Sequence, residues 1–209
     1  MRKVGKTLIA GLLSAVMTVS MVACGSGFDA AAYVDSCLDL LTKGETAEYM
    51  KMTDRTEEQA TADYEGNIDN MVNMMSGMGL SDELLEGYRQ MYKDLYSKAK
   101  YEVKDAKKMD GKDGYVVTVE IQQMTGIFTG LTDELQADFA AQVTEDMSQS
   151  EQYELMYQLM LDKLNARLAN VEYKDAQTLE IEVVGENNVY GITAEGYALI
   201  DNALLDTDN

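Results

Sequence analysis

The sequence predicts an α+β fold in which helices pack on a curved antiparallel sheet of about four strands, formed by two hairpins. Apolar residues recur every three or four positions in several long segments, which is typical of helices with one buried face. Two other regions alternate with a period near two, each around a glycine-containing turn. Helices that flank paired strands, and do not alternate with single strands, favour antiparallel layers over a βαβ sheet.

The chain opens with a segment that has the three parts of an export signal. Three basic residues precede an uncharged, largely apolar run at 7–23, and Cys24 follows. As a helix this run would measure about 25 Å, which is short for a hydrocarbon core of about 30 Å. Residues 21–24 read Met-Val-Ala-Cys and resemble a bacterial lipobox, in which the cysteine receives a diacylglyceryl group and becomes the new N-terminus. Residues 1–23 are therefore predicted to be a lipoprotein signal peptide and Cys24 the lipidation site; an ordinary signal peptide with an incidental cysteine and an uncleaved anchor are the alternatives.

The mature chain is predicted to be one acidic domain that follows a short tether. Residues 24–27 form a flexible Cys-Gly-Ser-Gly tether, and 28–205 form a single domain without a Pro- or Ser-rich linker. Removing residues 1–23 takes away three cations and changes the formal charge from −20 to −23. Such a chain repels nucleic acid and anionic lipid headgroups, which excludes nucleic-acid binding and a polybasic membrane contact. The expected location is the extracytoplasmic side of the cell membrane, held there by lipid.

The amino-acid composition excludes several classes of active site and metal site. The chain has no histidine, so it cannot build a Ser-His-Asp or Cys-His site, nor the commonest zinc and iron sites. With Cys24 lipidated, Cys37 is the only remaining thiol, and an intramolecular disulfide is not possible. Cys37 shares a helical apolar face with Val34 and Leu41, which favours a buried core thiol over a reactive one. We expect no cofactor, no metal site and no catalytic residue.

Four helices are predicted in the first half of the domain. In order they cover 28–43, 45–52, 56 to about 77, and 81–99. Gly44 is a typical helix end, Thr56-Glu57-Glu58-Gln59 matches a capping box, and Ser81 is a typical N-cap. The fourth helix has the clearest amphipathic face.

Two hairpins and three more helices follow. The predicted strands are 101–109 and 115–123, then 178–184 and 188–192, and the predicted helices are 132–147, 150–169 and one capped by Thr193. In the helix at 132, Phe139, Val143 and Met147 are expected to face inward with Leu135. The acidic tail at 206–209 is expected to be frayed.

The chain also resembles a group of uncharacterised lipoproteins from Gram-positive Firmicutes whose mature part is a domain of unknown function. The residues that carry the resemblance are Cys24-Gly25, Tyr33-Val34, Leu38-Asp39, Lys43-Gly44-Glu45, Tyr49, Thr56-Glu57-Glu58 and Asn188-Val189-Tyr190-Gly191-Ile192. In that group Trp often stands in place of Tyr190. The resemblance implies a cystatin-like or ketosteroid-isomerase-like α+β fold, in which a curved sheet wraps one long helix, and it implies no activity.

Methionines, acids and tyrosines are the candidate binding residues, and each has a simpler interpretation. The methionines at 71–78 could bind copper(I), but most of them fit a core-facing stripe. The thirty-seven acids lack the spacing of a calcium loop. Among the thirteen tyrosines, those at 88, 92, 153 and 157 lie on the expected inner faces of helices. Tyr115 and Tyr190 are better candidates for a sheet face that lines a pocket.

These observations predict a non-enzymatic module that is anchored to the membrane through lipid. Its expected partner is a cell-envelope protein, a peptide or a small apolar ligand in the concave side of the sheet. The alternative is an isomerase- or hydratase-like enzyme with a carboxylate as general base in a cone-shaped cavity. That alternative requires an acid with a raised pKa at an inward position on a strand or a helix.

Overall fold

The computed structural model describes residues 19–20, 27–186 and 189–207. Cys24 lies outside these described residues, as do positions 25 and 26 of the predicted tether. The described part contains seven helices, which are α1 (Ala30–Lys43), α2 (Ala47–Thr53), α3 (Glu57–Ser76), α4 (Asp82–Tyr96), α5 (Leu131–Gln142), α6 (Gln149–Leu168) and α7 (Ala194–Leu204). Its strands are β1 (Val19–Ser20), β2 (Lys100–Lys108), β3 (Gly114–Gln122), β4 (Met124–Thr125), β5 (Glu172–Tyr173), β6 (Gln177–Glu186) and β7 (Val189–Ile192). The α+β class is confirmed.

The main sheet has the order β1-β7-β6-β3-β2, with every pairing antiparallel. The two predicted hairpins are β2–β3 and β6–β7, and they join through β3 and β6. Because Gly114 pairs with Val184 while Ile121 pairs with Gln177, both hairpin turns lie at the same end of the sheet. We call this the hairpin end, and the opposite end, where β3 finishes at Gln122 and β6 begins at Gln177, the far end.

Three strands of only two residues were not predicted, because so short a segment carries no periodic signal. β4 and β5 pair with each other in a separate small sheet. β1 pairs with β7 and is itself an edge strand of the main sheet, with Val19 opposite Tyr190. It lies inside the segment predicted to be the signal peptide.

Helices α1 and α7 cover one face of the sheet and form the core with it. The inner side chains of β3 and β6 are apolar and fully buried, and they are Val117, Val119, Ile121, Ile181 and Val183. The opposite face is polar and solvent-facing, as the ion pairs of Lys104 with Glu102 and Glu120 show. Since β-strand side chains alternate between faces, this pattern follows from the period-two sequence.

Several helix ends confirm the expected capping chemistry. The hydroxyl of Thr56 accepts a hydrogen bond from the Gln59 backbone N–H, and the Gln59 side chain accepts one from the Thr56 N–H, which completes the capping box. Ser81 caps α4 as expected. The first helix begins at Ala30 and not at Phe28, because the Asp29 side chain accepts from the Ala32 N–H and so fixes the N-cap there.

The inward-facing side predicted for α5 is largely not buried, so this prediction was wrong. Only Leu131 of this helix is buried, while Phe139 is half-exposed and, unlike Leu135, does not pack against the core. The helix ends at Gln142, so Val143 is its C-cap and Met147 lies beyond it. The apolar spacing is real, but the element that this helix mainly packs against is α6.

Candidate functional site

Four aromatic side chains meet at the hairpin end, where the domain begins. Phe28 stacks on Tyr190 with ring centroids 4.1 Å apart, and it lies 5.5 Å from both Tyr115 and Tyr33. The Tyr190 hydroxyl donates to Asp113 Oδ1 at 2.9 Å, which ties β7 to the β2–β3 turn. We call Phe28, Tyr33, Tyr115 and Tyr190 the aromatic junction.

The junction depends on a close approach at Gly185. A Cβ atom at this position would lie 2.6 Å from Cε1 of Tyr190 and 2.9 Å from Oδ2 of Asp113. Both contacts are shorter than ordinary van der Waals separations, so glycine leaves room for the ring and the carboxylate together. The backbone N–H of Gly185 also donates to the Asp113 carbonyl at 2.8 Å.

The junction changes the interpretation of the two candidate tyrosines. The structure brings Tyr115 and Tyr190 together, with centroids 6.0 Å apart, but Phe28 covers them. They therefore pack against the first residues of the domain and do not line an open pocket. The sequence contained no direct sign of this, because Phe28 lies at the start of the first predicted helix, far from Tyr115 and Tyr190 in the chain.

An open groove of about 450 Å³ lies between α4 and α6, near the C-terminal ends of both helices. This volume is within the range of small-molecule sites. The groove is lined by Gly87, Gln90, Met91, Asp94, Ser97, Lys98, Asn165, Leu168 and Ala169. Sequence analysis missed it, because its two walls are almost seventy positions apart in the chain, and the only local signal was the glycine at 87 in a helix.

The groove combines an apolar floor with a polar rim. Met91 and Leu168 are buried, and Gly87 allows the helices to approach, since a Cβ there would lie 2.6 Å from Cδ2 of Leu161. On the rim, the Gln90 side-chain amide donates to Asp94 Oδ1 at 2.9 Å. Lys98 forms no ion pair with an acidic side chain of the described residues, although Asp94 lies one turn earlier. The rim therefore offers a carboxylate, a free ammonium group and amides to a ligand.

The small β4–β5 sheet supports this groove through one hydrogen bond. The Tyr173 hydroxyl on β5 donates to the Lys98 carbonyl at 2.8 Å. The ammonium group of Lys100 lies 3.7 Å from the centre of the Tyr173 ring, at the distance of a cation–π contact. The segment between α4 and β2 is thus fixed at the groove's edge.

Cys37 is fully buried, as predicted. Burial raises the pKa of its thiol from 9.0 to about 12, so the reactive thiolate is scarce at neutral pH. Met71 and Met75 are also buried in the core, whereas Met74 is 47% exposed. The core-stripe interpretation is therefore confirmed for Met71 and Met75.

The inward orientation predicted for four helix tyrosines is confirmed at three positions. Tyr88, Tyr92 and Tyr157 are buried, and Tyr88 donates from its hydroxyl to the Tyr157 carbonyl at 2.8 Å. Tyr153 is 38% exposed, which contradicts its expected inward orientation. Its hydroxyl lies at the surface, where it accepts a hydrogen bond from the Gln149 side-chain amide at 3.2 Å.

The concave side of the sheet contains no carboxylate among the described inner positions of β3 and β6. α1 and α7 fill this side with apolar contacts. Asp39 on α1 is half-buried near β2, but its Oδ1 accepts hydrogen bonds from the Tyr101 hydroxyl and from Lys43, each at 2.6 Å. Partial burial and the neighbouring Asp39 raise the pKa of Asp35, yet its side chain is exposed at the surface. Neither acid is placed as a general base within a cavity.

Two features are absent from the part of the chain that the structure describes. No group of three or more Asp, Glu, Cys or His side chains in this part of the chain is arranged to hold a metal ion. Over the same residues, no helix has both the length and the apolar character needed to cross a membrane.

Comparison with solved structures identifies a similar fold. The crystal structure of ycdA from Bacillus subtilis, provisionally described as a lipoprotein, matches 86% of this chain with a TM-score of 0.55 at 14% sequence identity. The chain spans 57% of the length of that ycdA chain. At this identity the likeness shows the fold alone. No protein-family model matches the sequence, and no curated protein matches it significantly.

Proposed function

We propose that this protein is an extracytoplasmic lipoprotein, anchored through Cys24, whose single domain is a non-enzymatic binding module. The observation that carries the proposal is the aromatic junction, because the packed domain begins at Phe28, four residues after the lipobox cysteine. The description of ycdA as a lipoprotein from a Firmicute supports the same class. So does the resemblance to Gram-positive lipoproteins with a cystatin-like fold. After processing at Cys24, β1 would be removed and β7 would become an edge strand.

The groove between α4 and α6 is the ligand site that we assign to this module. Its floor is apolar, and its rim brings Asp94, Lys98 and Asn165 to one opening. A carboxylate and an ammonium group on the same rim suit a ligand that carries both charges, such as an amino acid or a short peptide. No acid occupies a described inner position of β3 or β6, so these strands offer no general base for the isomerase-like alternative.

The anchor is tested by the substitution Cys24→Ser in the full-length protein. Serine cannot accept the diacylglyceryl group through sulfur, so the variant should leave the membrane fraction or remain unprocessed. The measurement is the distribution of the protein between membrane and soluble fractions, with the mass of its N-terminal peptide. The buried Cys37→Ser is the matched control and should stay in the membrane. Normal cleavage with unchanged membrane attachment of Cys24→Ser would refute lipidation.

The binding role is tested by titrating the protein with free amino acids and short peptides while backbone amide resonances are followed. Saturable shifts should cluster at 87–98 and 165–169, because these segments line the groove. The variant Ala169→Trp places an indole at the exposed edge of the groove. It should raise the dissociation constant at least about tenfold, which corresponds to a loss of roughly 1.4 kcal/mol of binding free energy. Saturable shifts elsewhere would contradict the assignment, and turnover of a hydrolase substrate panel would contradict the non-enzymatic role.

A further inference from the structure

We infer that the hairpin end of the domain faces the membrane and that the groove between α4 and α6 faces away from it. This orientation rests on the proposed lipid anchor at Cys24. It adds which surface the bilayer contacts and which surface remains open to ligands.

The tether is short compared with the domain. Four Cα steps separate Cys24 from Phe28, and even a fully extended chain spans at most about 14 Å over this length. A domain of about 180 residues has a radius of gyration near 16 Å, so its diameter is much larger than the tether's reach. Phe28 is held in the aromatic junction by its contacts with Tyr33, Tyr115 and Tyr190. The junction must therefore stay within about 14 Å of the lipidated residue.

The junction and the groove lie at opposite ends of the sheet. Phe28 packs on Tyr115 at the start of β3, and the other end of α1 meets the start of β2, where Tyr101 donates to Asp39. β3 takes eight residue steps from Gly114 to Gln122, or about 27 Å. α4 and α6 both end at the far end, since each is followed within four residues by a strand that begins there. The groove is thus separated from the tether by the length of the sheet.

The charge of the hairpin turn suits this arrangement. Residues 107–113 contain three lysines against two aspartates, a net charge of +1 in a chain whose formal charge is −20. Lys108 and Lys112 form no ion pair with a described acid, and both side chains are exposed. The β2–β3 turn therefore presents none of the chain's net negative charge to an anionic bilayer.

The orientation is tested with two single-cysteine variants of the lipoprotein, extracted from membranes and reconstituted in phosphatidylglycerol-containing vesicles. Lys112→Cys places a thiol in the hairpin turn, and Asn170→Cys places one beside the groove; both positions are exposed. The lipid occupies Cys24 and Cys37 is buried, so a thiol-reactive fluorophore labels only the new site. Headgroup-attached quenchers should reduce fluorescence several-fold more at 112 than at 170.

A variant with a longer tether provides the control. Inserting twelve Gly and Ser residues after Gly27 should leave flotation with the vesicles unchanged and bring the quenching of the two positions close together, because the domain can then reorient. Equal quenching in the protein with the native tether, or stronger quenching at 170, would overturn the orientation alone. Failure of the unsubstituted lipoprotein to float would overturn the anchor and the orientation together.

Discussion

The protein should unfold cooperatively in alkaline solution, near pH 11, while remaining stable between pH 6 and 9. The reason is its set of buried phenols. Burial raises the pKa of Tyr33, Tyr88, Tyr96 and Tyr197 above the ordinary value of 10.0, and burial raises that of Cys37 from 9.0 to about 12. Each group can ionise freely only after the chain unfolds. Above pH 10 the unfolded state therefore binds fewer protons than the folded state, and the free energy of unfolding falls as the pH rises.

The expected slope is large. Each such group lowers the free energy of unfolding by about 1.4 kcal/mol per pH unit between its unfolded and folded pKa. Five groups together remove about 7 kcal/mol per unit, comparable with the whole stability of an ordinary domain, about 5–15 kcal/mol. Below about pH 8 all five are protonated in both states and contribute almost no slope. The absence of histidine also removes the usual source of pH dependence near neutrality.

The measurement is a pH titration followed by far-ultraviolet circular dichroism and by phenolate absorbance. Exposed tyrosines should ionise first, and the buried ones should ionise together with the loss of helix. Tyr197→Phe removes one of these ionisable groups and should reduce the slope by about 1.4 kcal/mol per pH unit. The Tyr197 hydroxyl is buried without a hydrogen-bond partner in the described structure, so the substitution breaks no hydrogen bond. Tyr153→Phe, at an exposed position, is the control and should change little. Ionisation of all thirteen tyrosines near pH 10 with the helical signal intact would contradict the prediction.

The sequence predicted the parts of the fold that depend on local periodicity and capping. β3 alternates buried and less buried side chains as its period-two sequence requires, and the capping box at Thr56 starts α3 at Glu57. α5 shows where this reasoning fails. Its apolar spacing indicates that one face is covered, but spacing cannot say whether the cover is the central sheet or a single outer helix, and here it is α6.

The candidate sites could be predicted only in part, for a related reason. The lipobox-like sequence is a contiguous motif, so Cys24 can be proposed as the lipidation site from the sequence alone. The aromatic junction joins residues from both ends of the domain, and the groove joins α4 to α6, which are distant in the chain. Such contacts depend on strand register and helix packing. The composition suggested that Tyr190 has a role on the sheet, but its partner Phe28 became visible only once the register was known.

Tyr190→Ala should cost about 3–5 kcal/mol of stability, the usual range for removing a buried aromatic side chain. The substitution removes the ring stacked on Phe28 and leaves Asp113 without the phenol that donates to it. Tyr190→Phe keeps the ring and should cost only about 1 kcal/mol, the usual net value of one hydrogen bond. Chemical denaturation at neutral pH measures both, and Val184→Ala on the exposed face of the neighbouring strand is the control.

A double-mutant cycle with Phe28 separates the stacking from general loss of packing. Phe28→Ala and Tyr190→Ala should be non-additive by about 0.5–1.5 kcal/mol, the typical coupling of an aromatic pair. The pair joins the tether to the last strand of the sheet, so weakening it should also expose residues 27–29 to protease before the rest of the domain unfolds. Additive effects with no early cleavage would mean that Phe28 does not hold the start of the domain. The tether would then extend to α1 at Ala30.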